Sequence, residues 1–186
     1  MTTVLTGLAV ASFGQYLPVD SMGRCRVGEV VIAEGFSGAL LFANQWKWLN
    51  GLAKGESRLS NIVKDSLNNK ISADFEFVVY AQSGILKKVA GLISYHIATE
   101  AKDGKYRFEM KDFLFHYYVQ DRNYRMVPTG KTKPMEEARA LGWQKHWDDH
   151  RKSAFIKTRN QITDLKYKAV ELPKDKSKPE EKKIEW

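Results

Sequence analysis

Residues Val89–Val119 read VAGLISYHIATEAKDGKYRFEMKDFLFHYYV, and the fold turns on them. Two runs rich in β-branched and aromatic side chains flank Lys102-Asp103-Gly104-Lys105. Asp-Gly in a two-residue connection suits a type I′ turn, in which both central residues take positive φ and the backbone follows the twist of paired strands. The spacing predicts an antiparallel hairpin with Ile97 opposite Met110, Tyr95 opposite Asp112 and Ile93 opposite Leu114. Ile93, Tyr95 and Ile97 then share a face with Tyr106, Phe108, Met110 and Leu114, while Arg107, Glu109 and Lys111 point the other way. Such alternation fits an antiparallel sheet with one packed and one wet face.

Upstream, Glu29–Ala33 is a short β-branched run closed by Gly35 and reads as a strand. Ser37 is placed to cap a helix, its hydroxyl accepting from a free N–H one turn in. Phe42, Trp46, Leu49 and Ala53 fall on one helical face, Gly55 is the stop, and Trp48 lies off the stripe toward solvent. Leu59–Val63 reads as a strand, Asp65–Lys70 as a turn, and Ile71–Tyr80 as an extended segment broken at Gln82-Ser83-Gly84.

Downstream, Thr129–Pro134 reads as a polar loop. Trp147, Ala154, Phe155, Thr158, Ile162, Leu165, Ala169 and Leu172 then keep a spacing of three to four, predicting an amphipathic helix ended by Pro173. The tail 173–186 intersperses Lys with acids and reads as disordered.

Of the 186 residues, 43% are hydrophobic and 12% aromatic, enough for one core over residues 28–172 without disulfides. Cys25 is the single cysteine, so neither a disulfide nor a cysteine metal cluster can form within the chain. Arg24 before it breaks any lipid-attachment motif. The net charge of +8 is dispersed rather than blocked, which suits solubility more than a nucleic-acid footprint.

The N-terminus points to export. Val4–Phe13 is a largely apolar stretch of signal-peptide length, too short to span a bilayer, and Ser12 and Gly14 supply the small residues before a cleavage site at Gly14/Gln15. Residues 1–14 are therefore read as a signal peptide and the mature chain as beginning at Gln15, in the periplasm, at the outer membrane or secreted. The positively charged start is missing, which places the true start upstream of Met1; the competing reading is a cytoplasmic protein whose first segment is disordered or a buried strand.

These elements, in this order, resemble a family of exported Bacteroidetes proteins: a domain of unknown function with a TATA-binding-protein-like (TBP-like) fold. The resemblance covers residues 28–170. It rests on the leader, the strand Glu29–Ala33, Phe42 with Trp46-x-x-Leu49, Asp103-Gly104-Lys105-Tyr106-Arg107-Phe108 leading into Met110-x-Asp112-Phe113, and the terminal Glu185-Trp186. It implies an α+β fold of order β-α-β-β-β-β-α, with two helices on one face of a curved antiparallel sheet, and brings no catalytic residues.

Few constellations point to chemistry. His146 and His150, one helical turn apart, sit about 5–6 Å apart at Cβ and are the candidate metal pair. Trp147 stands where a zinc-protease helix carries its general-base Glu, and no third ligand is evident, with His96 and His116 in the sheet. Gly130-Lys131-Thr132 resembles the end of a phosphate loop, but Arg125 occupies the position of the required glycine. No G-x-S-x-G elbow is present.

Tyr106, Arg107 and Tyr118, with Phe108, Tyr117 and Arg122, are the binding candidates, offering aromatic faces with cationic edges. The leading expectation is a non-enzymatic, cofactor-free exported domain that binds a protein, peptide or envelope component through its sheet face or tail. The rivals are a metal-binding or hydrolytic enzyme using His146/His150, and a nucleic-acid binder using the basic aromatic sheet.

Overall fold

The computed structural model describes residues 16–83 and 86–172. The chain runs through β1 (Arg26–Ile32), α1 (Gly38–Asn50), β2 (Ser57–Asp65), β3 (Lys70–Ser83), β4 (Leu86–Lys102), β5 (Lys105–Gln120), β6 (Met126–Pro134) and α2 (Gln144–Ala169). The strands form one antiparallel sheet in the order β1-β5-β4-β3-β2, with β6 also paired to β5. The expected leader, its Gly14/Gln15 junction and the tail from residue 173 lie outside the described residues.

The α+β class and the two-helix, antiparallel design hold, with one strand more than the sequence order implied. That strand is β6, read from sequence as the loop Thr129–Pro134. Its polar, exposed composition hides it, because it is an edge strand whose ladder is broken by a register irregularity between His116 and Tyr118, opposite Gly130.

The hairpin of β4 and β5 forms where expected, and Ile97 pairs with Met110. Its turn is not type I′: of the two central residues only Gly104 takes positive φ, 72°. Asp103 is held instead by tertiary contact, its carboxylate accepting from Gly38 N at 2.7 Å, while Gly104 N donates to Phe36 O. The turn thus docks on the start of α1, where Ser37 caps as expected, accepting from Leu40 N.

Beyond Met110 the expected register fails. His96 pairs with Lys111 but Ser94 pairs with Leu114, so β5 carries one extra residue opposite Tyr95, with Asp112 at φ 58°. A one-residue insertion reverses which face each later side chain occupies. Tyr106, Phe108 and Met110 point to the core before the bulge; Phe113 and Phe115 do so after it, and Leu114 is turned to the outer face.

Both helices cover the inner face. On α1 the buried stripe is Leu41, Phe42, Gln45, Trp48 and Leu49, so the expected stripe is rotated. Trp48 is only 1% exposed, Ala53 lies beyond the helix and is exposed, and Trp46 is half-buried beneath the Lys64 ammonium, 4.6 Å from its ring. A buried glutamine in the stripe masked its true centre. The helix ends at Asn50 against Gly51, before the expected stop.

On α2 the buried positions are Trp147, His150, Ala154, Thr158, Gln161, Leu165 and Ala169, an unbroken helical period. Leu172 lies past its end and is exposed. Tyr95 OH donates to Gln161 Oε1, and Asn44 on α1 donates to the carbonyls of Ala169 and Glu171 at 2.9 and 2.8 Å, closing the end of α2. Sheet, α1 and α2 are thereby tied by polar as well as apolar contacts.

Gln45 is fully buried, and neither its amide oxygen nor its nitrogen has a partner among the described residues. Burying an unpaired amide costs more than its packing returns. Gln45→Met, which keeps the side-chain length, is expected to raise stability by about 1–2 kcal/mol in urea unfolding. A loss of stability would show that the amide is satisfied.

Candidate functional site

The sheet face turned away from the helices is uncovered among the described residues, and strand register sorts its side chains into rows. Val30, Arg107, Glu100, Lys70 and Asp65 form one row across β1, β5, β4, β3 and β2. Gly28, Glu109, Ala98, Ser72 and Val63 form the next, and Arg26, Lys111, His96, Asp74 and Ser60 the third. The middle row has small side chains at three of its five places, so the outer rows act as walls. The resulting trough is about 850 Å³.

The walls are pinned by ion pairs. Arg107 Nη2 lies 2.6 Å from Glu100 Oε2, and Lys102 Nζ is 3.5 Å from Glu100 Oε1. Arg26 reaches from the third row to Glu109 in the middle one. Burial pushes the Glu100 carboxyl up, but Arg107, Lys70 and Lys102 outweigh it and hold the group below the ordinary carboxylate range. Asp74 is lowered too, by the Asn61 amide 2.7 Å from Oδ2 and then by His96, whose Nδ1 is 2.8 Å from Oδ1. Across the three rows four carboxylates face four fixed cations. The +8 of the chain is therefore not concentrated on this face.

Beyond the third row a smaller hollow of about 360 Å³ holds Ser94, Glu76, Asp112 and His116. Ser94 Oγ and His116 Nε2 are 2.7 Å apart. A nucleophilic triad needs one imidazole to bridge the hydroxyl and a carboxylate. Here the hydroxyl bond belongs to His116 and the carboxylate bond to His96, so the parts are split between two rings.

The sequence candidates are dispersed. Tyr106 points into the core, and burial, then the charge of Glu29, pushes its hydroxyl up to about 12; its ring is not available for stacking. Arg107 lies on the open face but is engaged by Glu100. Tyr118 is half-buried at the β5–β6 edge, opposite Pro128.

His146 is half-buried beside the exposed Trp143, and His150 is buried with its ring stacked 4.9 Å from that of Phe115. No three His, Cys, Asp or Glu side chains converge on a metal-binding arrangement among the described residues. Cys25 is buried, and burial and Glu136 push its thiol up to about 12, which suppresses the reactive thiolate.

The rows, the helix-backed inner face and the strand order can be set against known proteins. Residues 28–116 match DUF4468, a domain of unknown function with a TBP-like fold. The DUF4468 match runs from Gly28 within β1 through most of β5 and so reaches all five strands that line the trough; Arg26, β6 and α2 lie outside it.

Two crystal structures share the architecture. A TBP-like protein from Parabacteroides distasonis superposes with a TM-score of 0.60 at 18% identity, covering 84% of this chain and 98% of its own. A DUF4468 family protein from Bacteroides ovatus gives 0.57 at 18% identity, covering 89% and 95%. At that identity the likeness establishes the fold alone. No curated protein matches the sequence.

The rows themselves were not legible from sequence. The available signal was the period-two alternation of Ser94, His96, Ala98 and Glu100 on β4, but their neighbours depend on the registers of β1, β3 and β5.

Proposed function

We propose that this chain is a non-enzymatic, exported binding domain that takes a protein or peptide segment on the open face of its sheet. The observation that carries this reading is the uncovered trough with a floor of small residues and walls fixed by ion pairs. Side chains already held in place lose little further freedom when a partner docks, so the ordering cost of binding is lowered. The small residues Gly28, Ala98 and Ser72 let a partner's backbone approach the sheet closely. Balanced charge favours a partner of mixed polarity over a polyanion, which would gain no net attraction.

Selection of a phage-displayed peptide library on the purified protein tests this. Peptides that bind are expected to lose at least about tenfold in affinity to Ala98→Arg or Ser72→Arg, each of which fills the lane, and to be unaffected by Lys152→Glu on α2; tenfold is about 1.4 kcal/mol. Peptides indifferent to both lane variants would overturn the reading. Salt-dependent retention of labelled RNA or duplex DNA, with no peptide bound, would favour the nucleic-acid rival.

A further inference from the structure

From the loop after β6 into the first turn of α2, the segment Ala138–His146 carries two fixed cations, Arg139 and Lys145, and no carboxylate. Its two largest apolar side chains face water: Trp143 is 79% exposed and Leu141 71%. Exposure alone is unremarkable, since single apolar residues are common on surfaces. The backbone around them, however, is pinned. Gln144 donates to Ala138 O at 2.8 Å and accepts from Ala140 N at 3.0 Å, Trp147 Nε1 donates to Glu137 O at 2.7 Å, and Arg151 reaches Met135 O. Ala140 packs inward against the core while Leu141 and Trp143 point out.

An indole and a leucine on a firmly held tip, with Arg139 and Lys145 two residues to either side, match the boundary of a bilayer. Trp partitions to the headgroup level, aliphatic groups enter the acyl boundary, and Arg and Lys meet anionic headgroups. We infer that the Leu141–Trp143 tip docks this protein on an anionic membrane surface. Four acids flank the tip at a greater distance in sequence than its two cations. Glu136 faces the Cys25 thiol and Glu137 is paired with Lys133, while Asp148 and Asp149 lie a turn or more into α2. A tip of two side chains gives weak, reversible binding, and among the described residues no helix is long and apolar enough to cross a membrane.

Co-sedimentation with vesicles of equimolar phosphatidylcholine and phosphatidylglycerol tests this. The protein is expected to pellet with these vesicles but not with pure phosphatidylcholine, and to be released when salt rises from about 0.05 to about 0.5 M. Leu141→Ser/Trp143→Ser is expected to cut partitioning at least about tenfold with an unchanged circular-dichroism spectrum. Arg139→Gln/Lys145→Gln is expected to remove most of the salt dependence. Failure to pellet with the anionic vesicles, or equal pelleting of the Ser/Ser variant, would overturn the inference. So would absent vesicle binding combined with a Ser/Ser-dependent change of mass in ultracentrifugation, which would make the tip a protein contact.

Discussion

Gly91→Ala is expected to destabilise the protein by about 3 kcal/mol, at the upper end of the cost of overpacking a core. Gly91 lies buried in β4 opposite Tyr117. A Cβ there would collide with the backbone carbonyl oxygen of His116 and come within 2.8 Å of Phe115 Cζ. The carbonyl belongs to a strand paired on both edges, and the ring is hemmed in by Tyr117 at 4.7 Å, Trp147 at 5.7 Å and His150 at 4.9 Å between centroids. No soft neighbour is left to yield. Urea unfolding should show a lower midpoint with an unchanged slope. Gly142→Ala, where an added Cβ meets nothing within 4 Å, is the control and is expected to change stability by no more than about 0.5 kcal/mol. Equal effects at both positions would mean that the steric argument is wrong.

The second large effect is one of pH. Burial, then the neighbouring His146, pushes His150 down to about 4 despite the opposing charge of Asp149. In the unfolded chain the same imidazole titrates near 6.5. Between those values the unfolded state holds a proton that the folded state does not, so acidification favours unfolding. The contribution of the neutral, stacked ring is complete above 6.5 and is lost as pH falls toward 4, a loss of about 3 kcal/mol. His150→Phe, which retains a ring against Phe115, should flatten the stability profile in that window. The paired carboxylates Glu100 and Asp74 have lowered folded values, so their contributions are present above the ordinary carboxylate range and are lost at more acidic pH. A His150 imidazole seen by NMR to titrate near 6.5 in the folded protein would defeat this prediction.

The first half of the central hairpin was legible because its signals are local: Asp103-Gly104 between alternating runs fixes Ile97 against Met110. Its second half was not, because the bulge at Asp112 leaves the alternation of residue types almost unchanged while exchanging the faces of Phe113 and Leu114. Both helices were found by period, yet each hid polar members of its buried face. Gln45 on α1, and His150 and Gln161 on α2, read as surface residues until their burial is seen. The strand β6 was missed for the opposite reason, since it has little apolar content to announce it. The trough depends on side chains brought together from five strands, and only the pairs beside hairpin turns, Asp65 with Lys70 and Glu100 with Arg107, are near in sequence. Tyr106 and Arg107, adjacent in the chain, end on opposite faces, as strand geometry requires.

The position of β5 bears on how the protein is made. It pairs with β4 along one edge, while β1 and β6 lie end to end along the other. Every other pairing in the sheet joins strands that follow one another in the chain; the pairing of β1 with β5, which brings Arg26 to Lys111, does not. Non-local closures are slow because the chain entropy is lost before the contacts are gained. On the ribosome, β1 is made ahead of β2, β3 and β4 and has no strand to join until β5 has followed, whereas α1 can already pack on β3 and β4. The core-facing Val27 and Val31 of β1 stay without their partner strand through synthesis of most of the sheet, and this early strand is where a nascent chain would call on a chaperone.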